Sequence, residues 1–139
     1  MFLLDTNVVS ELRRPDRADG GVLQWAKAQR AAEFHLSAIT ILEIELGILR
    51  LARKDAEHSS RLRSWMDHVL QEFSRRILPI DLAVAQRCAP LHIPDPLPDR
   101  DALIAATALV HGLTVVTRNT KDFAPTGVST LNPWSGCRS

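Results

Sequence analysis

The chain opens on a short apolar run, Phe2 to Leu4, that Asp5-Thr6-Asn7 breaks at once. That pattern predicts a strand running directly into a turn. Val8 to Arg13 predicts a short helix, with Asp5 or Asn7 placed to cap it. Pro15 to Gly21 predicts a loop, and Val22 to Ala32 an alanine-rich helix that buries Leu23 and Ala26. Phe34 to Ser37 is a second strand candidate. Ile39 to Lys54 is apolar on almost every side, through Ile41, Leu42, Ile44, Leu46, Ile48, Leu49 and Leu51, which predicts a helix buried all round. Asp55 to Arg76 is amphipathic instead. Leu62, Trp65, Met66, Val69, Leu70 and Phe73 recur there at helical spacing.

Ile77 to Ile80 predicts a strand, and Asp81 caps a helix through about Ala89. Pro90, Pro94, Pro96 and Pro98 exclude a helix across the next segment. Asp99 then starts a helix to about His111, with Gly112 suited to end it. Leu113 to Thr117 predicts a strand buried on both faces, Arg118 to Phe123 a turn or short helix, and Val128 to Leu131 an edge strand. Short unbroken apolar strands alternate with helices, the pattern of a parallel sheet covered on both sides, hence an α/β fold.

Composition narrows this only slightly. A chain of 139 residues suits one domain, residues 1–139, and can bury a core without staples. A net charge of +1 excludes a general basic field, so any nucleic-acid surface is local. The positive charge is almost all arginine, the better residue for bidentate phosphate contact. Cys88 and Cys137 share no spacing motif and point to a reducing compartment. No segment is long and apolar enough for a membrane span, and Met1 to Leu4 lacks the basic region of a signal peptide. The expectation is a soluble, cytoplasmic protein.

Chemistry collects beyond the carboxyl ends of the strands in an open parallel sheet. Asp5 follows the first strand directly, and Thr117, Arg118 and Asn119 follow the Val115-Val116 strand. Glu43 lies in the second turn of one helix and Asp101 in the first turn of another, both at starts that face the same sheet edge. Glu43 falls between Thr40 and Gly47 on a helix expected to be buried, where a lone carboxylate is costly. No basic residue is expected beside these acids to pair with them. Each acid alone has an ordinary explanation: Asp5 as a cap, Asp101 as a first-turn acid with Asp99 as the cap, Glu43 paired with a distant arginine, Asp122 merely solvated. Their joint placement favours a divalent cation, and oxygen-only ligands favour Mg²⁺ or Mn²⁺ over zinc. The five histidines show no zinc spacing, and no glycine-rich phosphate loop follows a strand. Asn7 stands where a haloacid-dehalogenase-like phosphatase would need its second Asp.

Together, Leu3-Leu4-Asp5-Thr6-Asn7-Val8, Ser37-Ala38-Ile39-Thr40 with Glu43 and Gly47, Asp101 to Ala108, Thr117-Arg118-Asn119 with Asp122-Phe123, and Asn132-Pro133-Trp134 resemble the PIN domain. More narrowly they resemble the VapC-type toxins of bacterial toxin–antitoxin pairs. The resemblance implies a three-layer α/β/α fold and a Mg²⁺- or Mn²⁺-dependent endoribonuclease acting on tRNA or rRNA. It further implies a homodimer and a cognate VapB-type antitoxin that blocks the site. Asp5, Glu43 and Asp101 match the three core metal positions, with Thr6 and Asn7 supporting Asp5 through hydrogen bonds. The fourth acidic position matches Asn119, and Asp122 lies three residues later; either would complete the site. Pro90 to Pro98 departs from relatives by being shorter and stiffer. Arg118 would contact the scissile phosphate, and Arg13, Arg14 and Arg17 are candidates for the RNA backbone. A PIN-like nuclease acting on DNA and a non-catalytic PIN-fold binding protein remain as alternatives.

Overall fold

The computed structural model of the chain describes residues 1–135, so Cys137 lies outside the described residues. Strand β1 (Phe2–Leu4) runs into α1 (Thr6–Leu12) through Asp5, whose carboxylate accepts the backbone N–H of Thr6. Helix α2 is Gly20–Ala28, followed by a 3₁₀ turn and β2 (Phe34–Ser37). Then come α3 (Ala38–Ala52), α4 (Ala56–Glu72), β3 (Ile77–Leu78) and α5 (Leu82–Cys88). Helix α6 (Asp99–His111) ends at Gly112, whose φ of 66° is the left-handed stop that glycine adopts without strain. Strand β4 (Thr114–Val116), α7 (Thr120–Phe123) and β5 (Thr130–Leu131) complete the order.

All strand pairs are parallel, in the order β3-β2-β1-β4-β5. Alternation along the strands sorts the core into two layers. Leu4, Phe34, Leu36 and Val116 face one side, against α1 to α4 through Val8, Ile44, Ile48, Met66 and Val69. Leu3 and Val115 face the other, against Ile104, Ala105 and Ala108 of α6 and Phe123 of α7. The sheet is therefore sandwiched, as an α/β/α three-layer fold requires. Cys88 is a buried free thiol between α5 and α6.

Several expectations need correction. Helix α2 starts at Gly20 rather than Val22, because the Asp19 carboxylate caps it by accepting from Gly21 N and Val22 N. Gly21 belongs there because a Cβ would fall 2.7 Å from Pro133 O and Ser135 N. The helix ends at Ala28, four residues early. Pro98, not Asp99, occupies the cap position of α6. Helix α3 is not buried all round: Leu42 is 44% and Leu49 59% exposed, because one face of this outer-layer helix has no neighbour among the described residues. Trp65 and Met66 of α4 pack into the core, the plainer of their two expected roles. Gly47 sits mid-helix in α3 with nothing within 4 Å of a built Cβ. Glycine there costs ~1 kcal/mol relative to alanine, and neither packing nor backbone geometry requires it.

Candidate active site

The register Leu4↔Val116 places the ends of β1 and β4 side by side, which sets Asp5 against Thr117. Asp5 is only 7% exposed. Its Oδ1 accepts from Thr6 N at 2.8 Å, and its Oδ2 accepts from the Thr117 hydroxyl at 2.8 Å and from Asn7 Nδ2 at 3.4 Å. Burial nevertheless raises its pKa above the ordinary carboxylate value; the Thr117 and Thr6 hydrogen bonds oppose this, and the charges of Glu43 and Asp122 add to it. Asn7 also accepts from Arg118 N, so one amide ties Asp5, Thr117 and the chain after β4 together.

Asp101, in the first turn of α6, has no such support. Its pKa is raised by desolvation first and then by the charges of Asp5, Asp122 and Glu43. The charges of Glu43 and Asp122 thus act on both Asp5 and Asp101 at the carboxyl edge of the sheet, although the four acids come from α3, α6, α7 and the end of β1. Glu43 is held from two sides. The Thr6 hydroxyl donates to its Oε1 at 2.7 Å and lies 3.3 Å from Thr40 Oγ1, and Arg100 Nη1 lies 3.8 Å from its Oε2. Thr6 supports Asp5 through its backbone N–H, as expected, and its side chain supports Glu43 as well. One expectation is corrected here. A basic residue, Arg100, does stand beside the acids, reaching Glu43 from the helix that carries Asp101.

Asn119 is exposed; its backbone N–H donates to the Thr117 hydroxyl at 3.0 Å, and its side chain makes no cap for α7. Asp122 is also exposed, yet its charge reaches both Asp5 and Asp101. Arg118 is exposed with its guanidinium 5.4 Å from the centre of the Trp134 ring, and its carbonyl accepts from Asn132 Nδ2. Arg13 lines a cavity that also touches Thr6 and Glu43. Arg14 is exposed beyond α1 and is not brought to the acids by any contact of its side chain among the described residues. The support that Thr117 and Thr40 give was not foreseen. The parallel pairing of β1 with β4 is the signal that points to Thr117.

Among the described residues, no three acids, histidines or cysteines are gathered tightly enough to form a ready cage for an ion. The donor set still fits a hard divalent cation that keeps most of its waters. It is all oxygen, it carries mutual repulsion that a cation relieves, and Mg²⁺ is ordinarily held by one or two direct carboxylates. Among the described residues no helix is long and apolar enough to cross a membrane.

The PIN domain family matches residues 2–127. The chain is 37% identical to the VapC ribonuclease Y4jK of Sinorhizobium fredii, over 96% of this chain and 98% of that protein. The crystal structure of FitAcB from Neisseria gonorrhoeae superposes with a TM-score of 0.87 at 36% identity, covering 97% of this chain and 99% of that one. A toxin–antitoxin complex from Klebsiella pneumoniae matches with a TM-score of 0.68 at 31% identity, covering 96% and 98%.

Proposed function

The chain belongs to the PIN-domain family, and from that premise we propose that it is the ribonuclease toxin of a toxin–antitoxin pair, a metal-dependent endoribonuclease. The observation that carries this reading is the gathering of acids at the carboxyl edge of the sheet, where the charges of Glu43 and Asp122 add to burial in raising the pKa of both Asp5 and Asp101. Asp5, Asp101 and Glu43 hold a divalent ion, directly or through waters; we assign Mg²⁺, with Mn²⁺ as its substitute. When bound, the ion supplies Lewis acidity to the phosphodiester and offsets the charge of the carboxylates. Asp122, rather than the neutral Asn119, completes the set, because its charge acts on both Asp5 and Asp101.

The remaining residues position and orient. Thr117 and Asn7 fix the Asp5 carboxylate, leaving it one orientation toward the cluster. Thr6 does the same for Glu43. Arg118 pairs with a phosphate of the RNA, and Arg13 with the backbone near α1. The partners are RNA, a VapB-type antitoxin and a second copy of the chain, for which the exposed Leu42 and Leu49 of α3 offer an apolar face. A monomer in light scattering at micromolar concentration contradicts the homodimer. With RNA and antitoxin as partners, the proposed location is the cytoplasm and the proposed organisation a single catalytic domain.

Incubating the purified protein with an RNA and a single-stranded DNA of the same sequence tests the reading. Cleavage of the RNA alone, with Mg²⁺ and not with EDTA, is expected. Cleavage of DNA alone, or RNA cleavage unaffected by chelation, contradicts it.

A further inference from the structure

The Asn132-Pro133-Trp134 run follows β5 and lies beside the chain that carries Arg118. Strand β5 pairs parallel with β4, and Thr117 N donates to Leu131 O at 3.0 Å. Asn132 therefore leaves the sheet at the same carboxyl edge as Arg118, one strand farther out. Its side-chain amide works in two directions. Nδ2 donates to Arg118 O at 3.4 Å, and Oδ1 accepts from Trp134 N at 2.9 Å, the local turn that asparagine favours. Pro133 narrows the backbone around it. The segment is also fastened to the start of α2. Ser135 N and Oγ donate to the two oxygens of Asp19, at 3.0 and 2.8 Å, and Pro133 O lies so close to Gly21 that a Cβ there would fall 2.7 Å away. Trp134 is thereby fixed, almost fully buried, in the core layer of α1 to α4.

Arg118 is held along its whole length. Its N–H donates to Asn7 Oδ1 at 3.3 Å, its carbonyl accepts from Asn132, and its guanidinium lies over the Trp134 ring. It lines a polar cavity of about 380 Å³ together with Lys121, Asp122 and Asn132. Even so, its guanidinium pairs with no carboxylate among the described residues. In a site rich in acids, a free arginine is drawn to the nearest carboxylate. Here the ring face takes the cation instead. Stacking engages the plane of a guanidinium and leaves its N–H edge to donate elsewhere.

We propose that Asn132 and Trp134 are positioning residues for Arg118. The Trp134 ring holds the guanidinium off the carboxylates, and the Asn132 amide fixes the backbone from which it projects. The N–H edge then stays open to an RNA phosphate, and the acids stay open to the cation. The phosphate half of this inference rests on the ribonuclease reading above; the acid half needs only the cation.

The test is a double-mutant cycle with Arg118. Trp134→Leu removes the ring and Asn132→Ala the amide. Each is measured for RNA cleavage, and for Mn²⁺ affinity by calorimetry, in the natural protein and in Arg118→Ala. In the natural background each should lower kcat/KM about three- to tenfold, the range that one cation–π contact or hydrogen bond commands. Each should also weaken Mn²⁺ binding about two- to fivefold, because the released guanidinium competes for the acids. In Arg118→Ala both losses are expected to vanish, and Trp134→Phe, which keeps a π face, restores most of what Trp134→Leu loses. Equal losses in the two backgrounds mean a merely structural role and overturn the proposal, as do unchanged cleavage and Mn²⁺ affinity. Asn132 is only half-buried, so Asn132→Ala decides the matter if Trp134→Leu does not fold. Natural protein that binds Mn²⁺ but cuts no RNA overturns the ribonuclease reading instead, and the Mn²⁺ cycle then decides the positioning by itself.

Discussion

Asp5 and Asp101 bring the same carboxylate to the same cluster, yet the chain treats them in opposite ways. Asp5 is almost fully buried and accepts hydrogen bonds from Thr6 N, Thr117 and Asn7. Asp101 stands half-exposed at a helix start, with no side-chain hydrogen bond among the described residues and three like charges acting on it. One side is organised by the protein itself. The other is left uncompensated, and that is the condition a cation satisfies. The contrast teaches where rigidity ends and ligand-dependent order begins: at the β1–β4 seam the acid is fixed before any ion arrives, while at α6 and α7 it is not.

The largest effect treats the two alike. Asp5→Asn and Asp101→Asn should each reduce RNA cleavage on the order of 10³-fold, because each removes several kcal/mol of transition-state stabilisation. Circular dichroism should show both variants folded. Full activity in either removes that residue from the site.

Thr117→Val sharpens the contrast at the organised side. Loss of the hydroxyl that donates to Asp5 should reduce cleavage and metal affinity by roughly 10–100-fold. Thr117→Ser should restore most of both. An unaltered Thr117→Val would show that Asp5 does not need its support.

Stability should then separate the two acids. Asp5→Ala leaves Thr6 N and the Thr117 hydroxyl without an acceptor, a loss of about 1–2 kcal/mol that relief of its own raised pKa offsets in part at neutral pH. Asp101→Ala should raise the melting temperature of the metal-free protein instead. Folding raises the Asp101 pKa, so the native state binds more protons than the unfolded chain just above the ordinary carboxylate pKa. Stability therefore falls as pH rises through that window and stays depressed above it. The gain from Asp101→Ala should be full at neutral pH and shrink as the pH falls toward the ordinary carboxylate range. Melting curves at two pH values check the sign, and a gain that grows on acidification contradicts it.

The smallest effect concerns Arg100, which competes with a cation for Glu43. Its guanidinium is 3.8 Å away and half-exposed, a weak pair. Arg100→Ala should tighten Mn²⁺ binding by no more than about fivefold, read by calorimetry.

The same contrast explains what the residue pattern disclosed. The strands were legible because Phe2 to Leu4, Phe34 to Ser37 and Val115-Val116 are apolar runs cut by polar residues, and parallel pairing followed from the alternating helices. Asp5 could be placed because it directly follows a strand. Asp101 could be placed because a proline segment fixes where its helix begins. Contacts across elements were not legible. The Thr6 hydroxyl reaches Glu43 rather than Asp5 because of how α1 crosses α3, and Arg100 reaches Glu43 because α6 lies beside α3. Neither crossing is encoded in spacing along one helix. The exposed face of α3 misled for a related reason: Leu42 and Leu49 look like core residues in composition, and only the position of the outer layer leaves them open.

Soaking crystals of the protein with Mn²⁺ and recording anomalous diffraction tests the central assignment most directly. A single strong peak lying among the carboxylates of Asp5, Glu43, Asp101 and Asp122, within about 2–2.6 Å of carboxylate or water oxygens, is the predicted result. A map with no peak there, or with its only peak at another surface, contradicts it.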